Sequence, residues 1–253
     1  MTYDPADGTV QHNVVPALAG IMVTSLTADG GDLWIGTRHH GLWRYTLSTG
    51  HIRRYVYDQS MPYAVISNDI NDVYRTRSGE VFVLTDWGLC KYSPAKDNFY
   101  TLPEIGSHTP FVTMREDKQG RLWAATSSDG IYRRESANQA FQAGHGRSIG
   151  KRPVSILYLD SRDTLWAAQG SRVYRFNAQT DDFEQLSVPM TRDYPVVFLQ
   201  EDNEQNMWIG TFGGLVKVTP DGATSYYAFH SPSAGITLPA SSAAALLPDG
   251  KIA

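Results

Sequence analysis

Residues 31–55 read GDLWIGTRHHGLWRYTLSTGHIRRY, and the same order of parts returns four more times. The copies run Gly79 to Leu102 (GEVFVLTDWGLCKYSPAKDNFYTL), Gly120 to Ala143 (GRLWAATSSDGIYRRESANQAFQA), Asp163 to Leu186 (DTLWAAQGSRVYRFNAQTDDFEQL) and Asn206 to Tyr227 (NMWIGTFGGLVKVTPDGATSYY). Their register markers Trp34, Phe82, Trp123, Trp166 and Trp208 stand 41 to 48 residues apart. A period of roughly 40 to 50 residues, each unit holding several short strand-like runs, is the pattern of a β-propeller blade. The predicted fold is therefore all-β, a β-propeller of four-stranded antiparallel blades with little or no helix.

Working outward from the quoted stretch, each unit opens on an inner strand such as Ile21 to Thr27. A tight turn such as Asp29-Gly30-Gly31 follows, of the type favoured between antiparallel strands. The second strand (LWIGT, VFVLT, LWAAT, LWAAQ, MWIGT) is apolar on both faces, as a strand sandwiched between two sheets must be. Its aromatic is expected to fill the gap between blades. Gly36, Ala125, Ala168 and Gly210 two positions on suit close backbone approach, whereas the second unit carries Leu84 there and Phe82 for Trp. Four of the five turns into the third strand end in glycine (Gly41, Gly88, Gly130, Gly214), predicting positive φ. The outer strand (HIRRY, NFYTL, AFQA, DFEQL, TSYY) is more polar, as a rim should be.

The blades are placed at about 21–55, 70–102, 111–143, 154–186 and 195–227, in one domain. Residues 1–12 match the outer part of a repeat, with Tyr3-Asp4-Pro5 aligned to Tyr92-Ser93-Pro94, and residues 243–253 match an inner part. Two arrangements fit: an excerpt of a larger propeller, or a six-bladed ring whose split blade is closed by both termini.

Composition excludes several classes. A 42% hydrophobic and 19% charged chain of 253 residues is globular. A net charge of -4 lacks the basic footprint of a nucleic-acid partner. The longest apolar stretch, Val14 to Val23, is broken by Pro16 and Gly20, so no direct membrane insertion by this segment is expected. The single cysteine, Cys90, lies in strand-like LCKY and reads as a buried thiol.

The unit (D/E)-x-x-G-x-L-W-I-G-T-x-x-G-L-x-R-Y, carried by Asp29 to Tyr45, Asp117 to Arg133 and Asp202 to Lys217 with weaker copies at 72–92 and 160–176, resembles the two-component regulator propeller repeat. The lead Gly235 to Ser242 resembles that family's entry into an inner strand. The resemblance implies a periplasmic sensor region, seven-bladed in its parent, of a membrane-bound hybrid histidine kinase that detects glycan-derived oligosaccharides and regulates polysaccharide-utilisation genes. It implies an oligosaccharide ligand and, as partners, the rest of the parent kinase and a homodimer mate. No cofactor is implied.

Propeller topology puts the turns between second and third strands on one face with the rim-to-centre connectors. That face should collect Arg38, His39, His40, Asp86, Trp87, Ser128, Asp129, Ser171, Arg172 and Phe212 from the turns. The connectors add Tyr63, His108, Arg147, Arg152, Arg192 and His230. Aromatic faces together with planar hydrogen-bonding groups are what a sugar site needs. The ligand-binding candidates are Arg38, His39, His40, Tyr63, Asp86, Trp87, Asp129, Arg152, Arg172 and Phe212, against the plainer reading of each as a solvated turn residue. Trp43, Tyr45, Tyr74 and Tyr132 read as core.

Three motif matches are set aside. His39-His40 lacks a third ligand at metal spacing. Asp202 to Asn206 departs from a calcium loop at Met207 and Gly213. Gly146-Arg147-Ser148-Ile149-Gly150 matches a nucleophile elbow but has no following helix. The alternative functions are a glycosidase, for which Asp86 and Asp129 are the available carboxylates, a lyase, which would want a His with a bound cation and has His39, His40, His108 or His230 to offer, or a protein-interaction scaffold. No catalytic residue is assigned.

Overall fold

The computed structural model describes residues 2–3, 10–11, 15–102, 105, 108–144, 146–189 and 193–228. It holds five four-stranded antiparallel sheets, one per repeat. Blade one comprises Val23–Asp29, Asp32–Thr37, Leu42–Thr46 and Ile52–Tyr55; blade two comprises Ile70–Arg75, Val81–Thr85, Gly88–Ser93 and Asn98–Thr101. Blade three is built from Phe111–Glu116, Leu122–Thr126, Ile131–Arg134 and Gln142–Ala143; blade four from Ile156–Leu159, Leu165–Gln169, Arg172–Asn177 and Asp182–Gln185. Blade five has Val196–Glu201, Met207–Thr211, Gly214–Val218 and Thr224–Ala228. A further antiparallel pair, Thr2–Tyr3 with Val10–Gln11, sets Tyr3 opposite Val10, as blade two sets Tyr92 opposite Phe99. The connector before blade one contains one turn of 3-10 helix, Pro16–Leu18. The inner part at 243–253, its lead at 235–242, Arg192 and His230 lie outside the described residues.

The sheets form because each repeat has four runs of β-compatible residues separated by turns too short for anything but a hairpin. They stack because the second strand is apolar on both faces. In blades two, three and four every residue of that strand is buried. The aromatic marker fills the gap to the following blade. Trp34 meets the Tyr92 ring edge-on at 4.8 Å and Phe99 at 6.3 Å, and Trp123 meets Phe176 at 4.7 Å and Phe183 at 6.1 Å. Offset and edge-to-face contacts of this kind add to area burial. The core is thus a series of slabs between blades.

Small residues behind the marker permit this spacing. A Cβ built on Gly36 would lie 2.9 Å from Ile70 Cγ2 of the next inner strand, and one on Gly210 would lie 2.0 Å from the Phe198 ring. The glycines before the third strand differ from expectation in one case. Gly41 and Gly130 have φ of 78° and 74°, and Gly88 has 145°. Gly214 is not in the positive-φ region; a side chain is excluded there because its Cβ would meet the Tyr227 carbonyl oxygen at 2.3 Å.

The turn between inner and second strands has a chemistry of its own. Asp117, Asp160 and Asp202 each accept backbone N–H bonds from the turn they begin, and their second oxygen accepts the indole N–H of the marker Trp six residues on. Those indole bonds measure 2.8 Å from Trp123, 3.0 Å from Trp166 and 2.7 Å from Trp208. Blade one uses Asp29 for Trp34 at 3.2 Å. Blade two, whose Phe82 has no N–H to place, carries Thr76 instead, and its hydroxyl accepts the Glu80 N–H. One carboxylate therefore closes a turn and satisfies a buried indole. The stretch Asp202 to Asn206 is this turn.

Neighbouring blades are tied at the same end. The Arg77, Lys118 and Ser161 backbone N–H groups donate to Glu116, Asp163 and Glu201 of the next blade at 2.7 to 2.8 Å. Cys90 is buried in the slab between blades one and two, and burial pushes its thiol up to about 12. Trp43 and Tyr132 are buried as expected of core, while Tyr45 and Tyr74 are only half-buried.

Candidate functional site

Antiparallel order places the turns between second and third strands, and the connectors leaving the outer strand, at the end opposite to the Asp–Trp turns. Hydrogen bonds between them fix the grouping: Gly41 N–H to Asn68 O at 2.9 Å, His108 N–H to Trp87 O at 3.1 Å, Ser127 N–H to Pro110 O at 3.0 Å and Val196 N–H to Gly170 O at 2.9 Å.

The densest assembly lies over blades one and two. Arg38 donates to Asp86 at 3.3 Å, and the other oxygen of that carboxylate accepts Asn71 Nδ2 at 2.7 Å. Asn71 also donates to the Phe111 carbonyl of blade three at 2.9 Å, so one amide joins the guanidinium–carboxylate pair to a third blade. Both partners of the pair remain more than a third exposed, leaving polar atoms open to a ligand. His39, at a φ of 64°, is held by Asp69, which accepts its backbone N–H at 2.9 Å and faces its Nδ1 at 2.7 Å. His40 turns back, its Nδ1 lying 2.9 Å from Arg38 O. The two imidazoles thus have separate partners.

Beside this pair stands Trp87, 45% exposed. Tyr57 meets its ring edge-on at 5.4 Å and the His108 ring lies tilted at 5.4 Å, giving three rings from two connectors and one turn. An exposed indole held on two sides by aromatic neighbours is a preformed shelf for a flat apolar surface.

The remaining candidates are dispersed. Asp129 accepts Tyr132 OH at 2.8 Å and pairs with Lys151 at 3.4 Å; burial, and then this hydrogen bond, pushes the Tyr132 phenol up to about 12. Arg152 is exposed beside Lys151. Arg172 lines a small hollow of about 250 Å³ with Ser171, Ser187 and Asp193 on blade four. Phe212 is 50% exposed on a turn whose Gly213 lies so close to Tyr194 that a Cβ would meet the ring at 2.3 Å.

Tyr63 falls elsewhere. It lines an apolar groove of about 230 Å³ with Met61, Arg53 and Asp97, and Asp97 belongs to the turn at the far end of blade two. The connector runs down the rim before returning to the centre, which moves Tyr63 away from the face. In the set-aside elbow, Ser148 Oγ lies 3.3 Å from Asp182 and Ile149 is buried, so the segment is a connector packed on blade four.

Sequence reasoning missed Asp69, Asn71 and Tyr57. The signal available was the polar run Ser67-Asn68-Asp69 entering an inner strand, which reads as an ordinary turn without the partner loops in view. Among the described residues no group of three His, Cys, Asp or Glu side chains could hold a metal ion, and no helix is long and apolar enough to cross a membrane.

With this geometry in hand, residues 105–128 match the family model described as two component regulator propeller. The fold is similar to the extracellular domain of the hybrid two component system BT3049 from B. thetaiotaomicron, with a TM-score of 0.70 and 17% identity over 91% of this chain and 31% of that one. It is similar also to the extracellular domain of BT4673 from the same organism (0.62, 17%, 91% and 38%) and to virginiamycin B lyase from Staphylococcus aureus (0.66, 17%, 92% and 83%). The chain therefore spans about a third of the length of the two extracellular domains. No match is found among curated protein sequences.

Proposed function

We propose that this chain, which carries the two-component regulator propeller repeat, is a non-catalytic ligand-sensing portion of a hybrid two-component receptor. In this reading it belongs to the periplasmic part of a membrane-anchored sensor kinase, works with the rest of that kinase in a homodimer, and regulates polysaccharide-utilisation genes. Its ligand is an oligosaccharide released from a glycan. The family match and the likeness to extracellular domains of two-component systems support the sensor role.

The observation that carries the ligand class is the Trp87 shelf, packed by Tyr57 and His108, next to the half-exposed Arg38–Asp86 pair braced by Asn71. A pyranose offers an apolar face to stack on an indole and vicinal hydroxyls that a guanidinium and a carboxylate can bridge. Arg38, Asp86 and Trp87 are the direct contacts, His39 and His40 border them, and Asp129, Arg152, Arg172 and Phe212 extend the face for a longer chain. Signalling requires that the sugar bind one arrangement of the receptor more tightly than the other.

The test is calorimetry of the purified protein against a panel of plant, bacterial and host oligosaccharides, with product analysis of the same samples. Binding of one class, recovery of the sugar intact and loss of affinity in Trp87→Ala support the sensor. Cleavage of the sugar overturns it in favour of a lyase or glycosidase, the alternative that the likeness to virginiamycin B lyase keeps in view.

A further inference from the structure

Opposite each aromatic marker, the third strand carries a basic residue: Arg44, Lys91, Arg133, Arg175 and Lys217. Four of the five meet a carboxylate. Arg44 pairs with Asp32 of its own second strand at 3.2 Å and with Asp97 of the next blade at 3.3 Å. Lys91 pairs with Glu80, which stands in its own blade where Asp32 stands in blade one. Arg133 takes Asp181 of the next blade and Glu135, and Lys217 lies 3.9 Å from Glu204. For Arg44, Lys91 and Arg133 a carboxylate comes from one of two places, two residues before the marker or the residue closing the next blade's outer turn. Glu135 adds to Arg133 from just past its own strand, and Lys217 has only Glu204, four residues before its marker.

Arg175 has neither. Two residues before Trp166 stands Thr164, and the outer turn of blade five has Gly222 where Asp97 and Asp181 stand. The acid that turn does carry, Asp221, is directed onto Thr219 Oγ1 and the Ala223 N–H of its own loop. Arg175 is exposed, with no ion pair among the described residues. Where the acids are missing there is a groove of about 460 Å³ lined by Arg175, Arg162, Thr164, Phe176, Asn177 and Gln179, with Glu184 at its side. Glu184 is opposite Arg175 across the strands, yet its carboxylate is held by Asn177 Nδ2 at 2.6 Å. Arg162, weakly tied to Asp160 at 3.5 Å and 38% exposed, adds a second guanidinium.

We propose that this groove is a binding site for a small carboxylate, whose acid group takes the place that Asp97 and Asp181 fill at other blade junctions. A planar guanidinium binds a carboxylate through two parallel N–H···O bonds, and the chain already uses this register for that purpose. Thr164, Asn177 and Gln179 supply hydroxyl and amide partners for the rest of the ligand. The groove is at the Asp–Trp end of blade four, so it is separate from the Trp87 shelf and does not depend on it.

The experiment titrates the purified protein with glucuronate, citrate, inorganic phosphate and uncharged glucose, followed by calorimetry and by chemical-shift changes. Saturable binding of glucuronate or citrate, unaltered in Trp87→Ala and weakened about tenfold or more in Arg175→Gln, is the expected result. Thr164→Glu supplies the internal acid as Glu80 does in blade two; it should abolish carboxylate binding and raise the melting temperature. Absence of carboxylate binding, phosphate binding of equal strength, or full binding in a folded Arg175→Gln variant would overturn the assignment.

Discussion

The two ends of each blade have been built by different rules. At one end, three of five repeats use the same device, an aspartate that closes a turn and accepts a Trp indole, and blade one uses Asp29 for the indole. Carboxylates from the next blade receive backbone N–H groups from the turns of blades two, three and four. At the other end no two turns are alike: Arg-His-His-Gly, Asp-Trp-Gly, Ser-Ser-Asp-Gly, Gly-Ser-Arg and Phe-Gly-Gly. A group that must satisfy the same buried donor in each copy has little freedom to vary, whereas a solvent-facing turn on a rigid scaffold has a great deal. The repeated end holds the blades in register; the varied end is where recognition has room to evolve.

The largest effect should come from the slab that both ends depend on. Trp123 is fully buried, packed edge-on by Phe176 and Phe183 of the next blade and covered by the Arg133 guanidinium at 4.9 Å from its ring. Trp123→Ala should lower unfolding stability by about 3 to 5 kcal/mol. The matching change at Trp208, which is only half-buried and has Tyr227 of its own blade at 5.7 Å, should cost clearly less. Denaturant unfolding of the two variants side by side checks this; equal losses would mean that the slab model of the core is wrong.

Next in size is the shared aspartate. Asp160 is buried and accepts the Arg162 and Thr164 N–H groups as well as the Trp166 indole. Asp160→Ala leaves these donors without their acceptor and should cost roughly 2 to 4 kcal/mol. Hydrogen exchange should show the loss concentrated in the turn between the inner and second strands of blade four. The far end of that blade should keep its protection.

A third expectation concerns pH. Burial pushes the Asp72 carboxyl, on the inner strand of blade two, up to about 6, with the nearby Arg115 charge opposing the shift. In the unfolded chain an aspartate releases its proton near pH ~4. Between these values the folded protein holds the proton and the unfolded chain does not, so stability should fall as pH rises from about 4 to about 6. Asp72→Asn should flatten that part of the profile: the variant gains on the parent at pH 7 and matches it near pH 4. A parallel profile for both proteins would show that Asp72 does not titrate in this window.

Much of this was legible in the sequence, and the pattern of what was not is itself informative. The marker spacing, the doubly apolar second strand and the hairpin turns each report on local packing, so the five sheets could be read from Trp34 through Trp208. The blade-to-blade ties could not, because Arg44 reaches Asp97 only after the connector at 56–69 has set the offset between blades one and two. The indole–aspartate bond was present in the repeat as an acidic first position but carries no sign of its partner until the turn is closed. Tyr63 was grouped with the face by topology alone; the connector's path down the rim, fixed by the Phe99 N–H bond to Tyr63 O at 2.9 Å, separates them.

The smallest expected effect on stability is also the sharpest test of the contrast between the ends. Arg38 and Asp86 are each more than a third exposed, so solvent screens their pair and it contributes little to folding. Arg38→Ala should change unfolding stability by no more than about 0.5 kcal/mol. Yet Asp86 would keep only Asn71 as a partner, and a sugar hydroxyl bridging guanidinium and carboxylate would lose one of its two anchors. If the varied end is the recognition surface, oligosaccharide affinity should fall in this variant while the thermal transition stays in place. A substantial loss of stability would instead place Arg38 with the residues that hold the blades together, and the division of labour between the two ends would fail at its most exposed point.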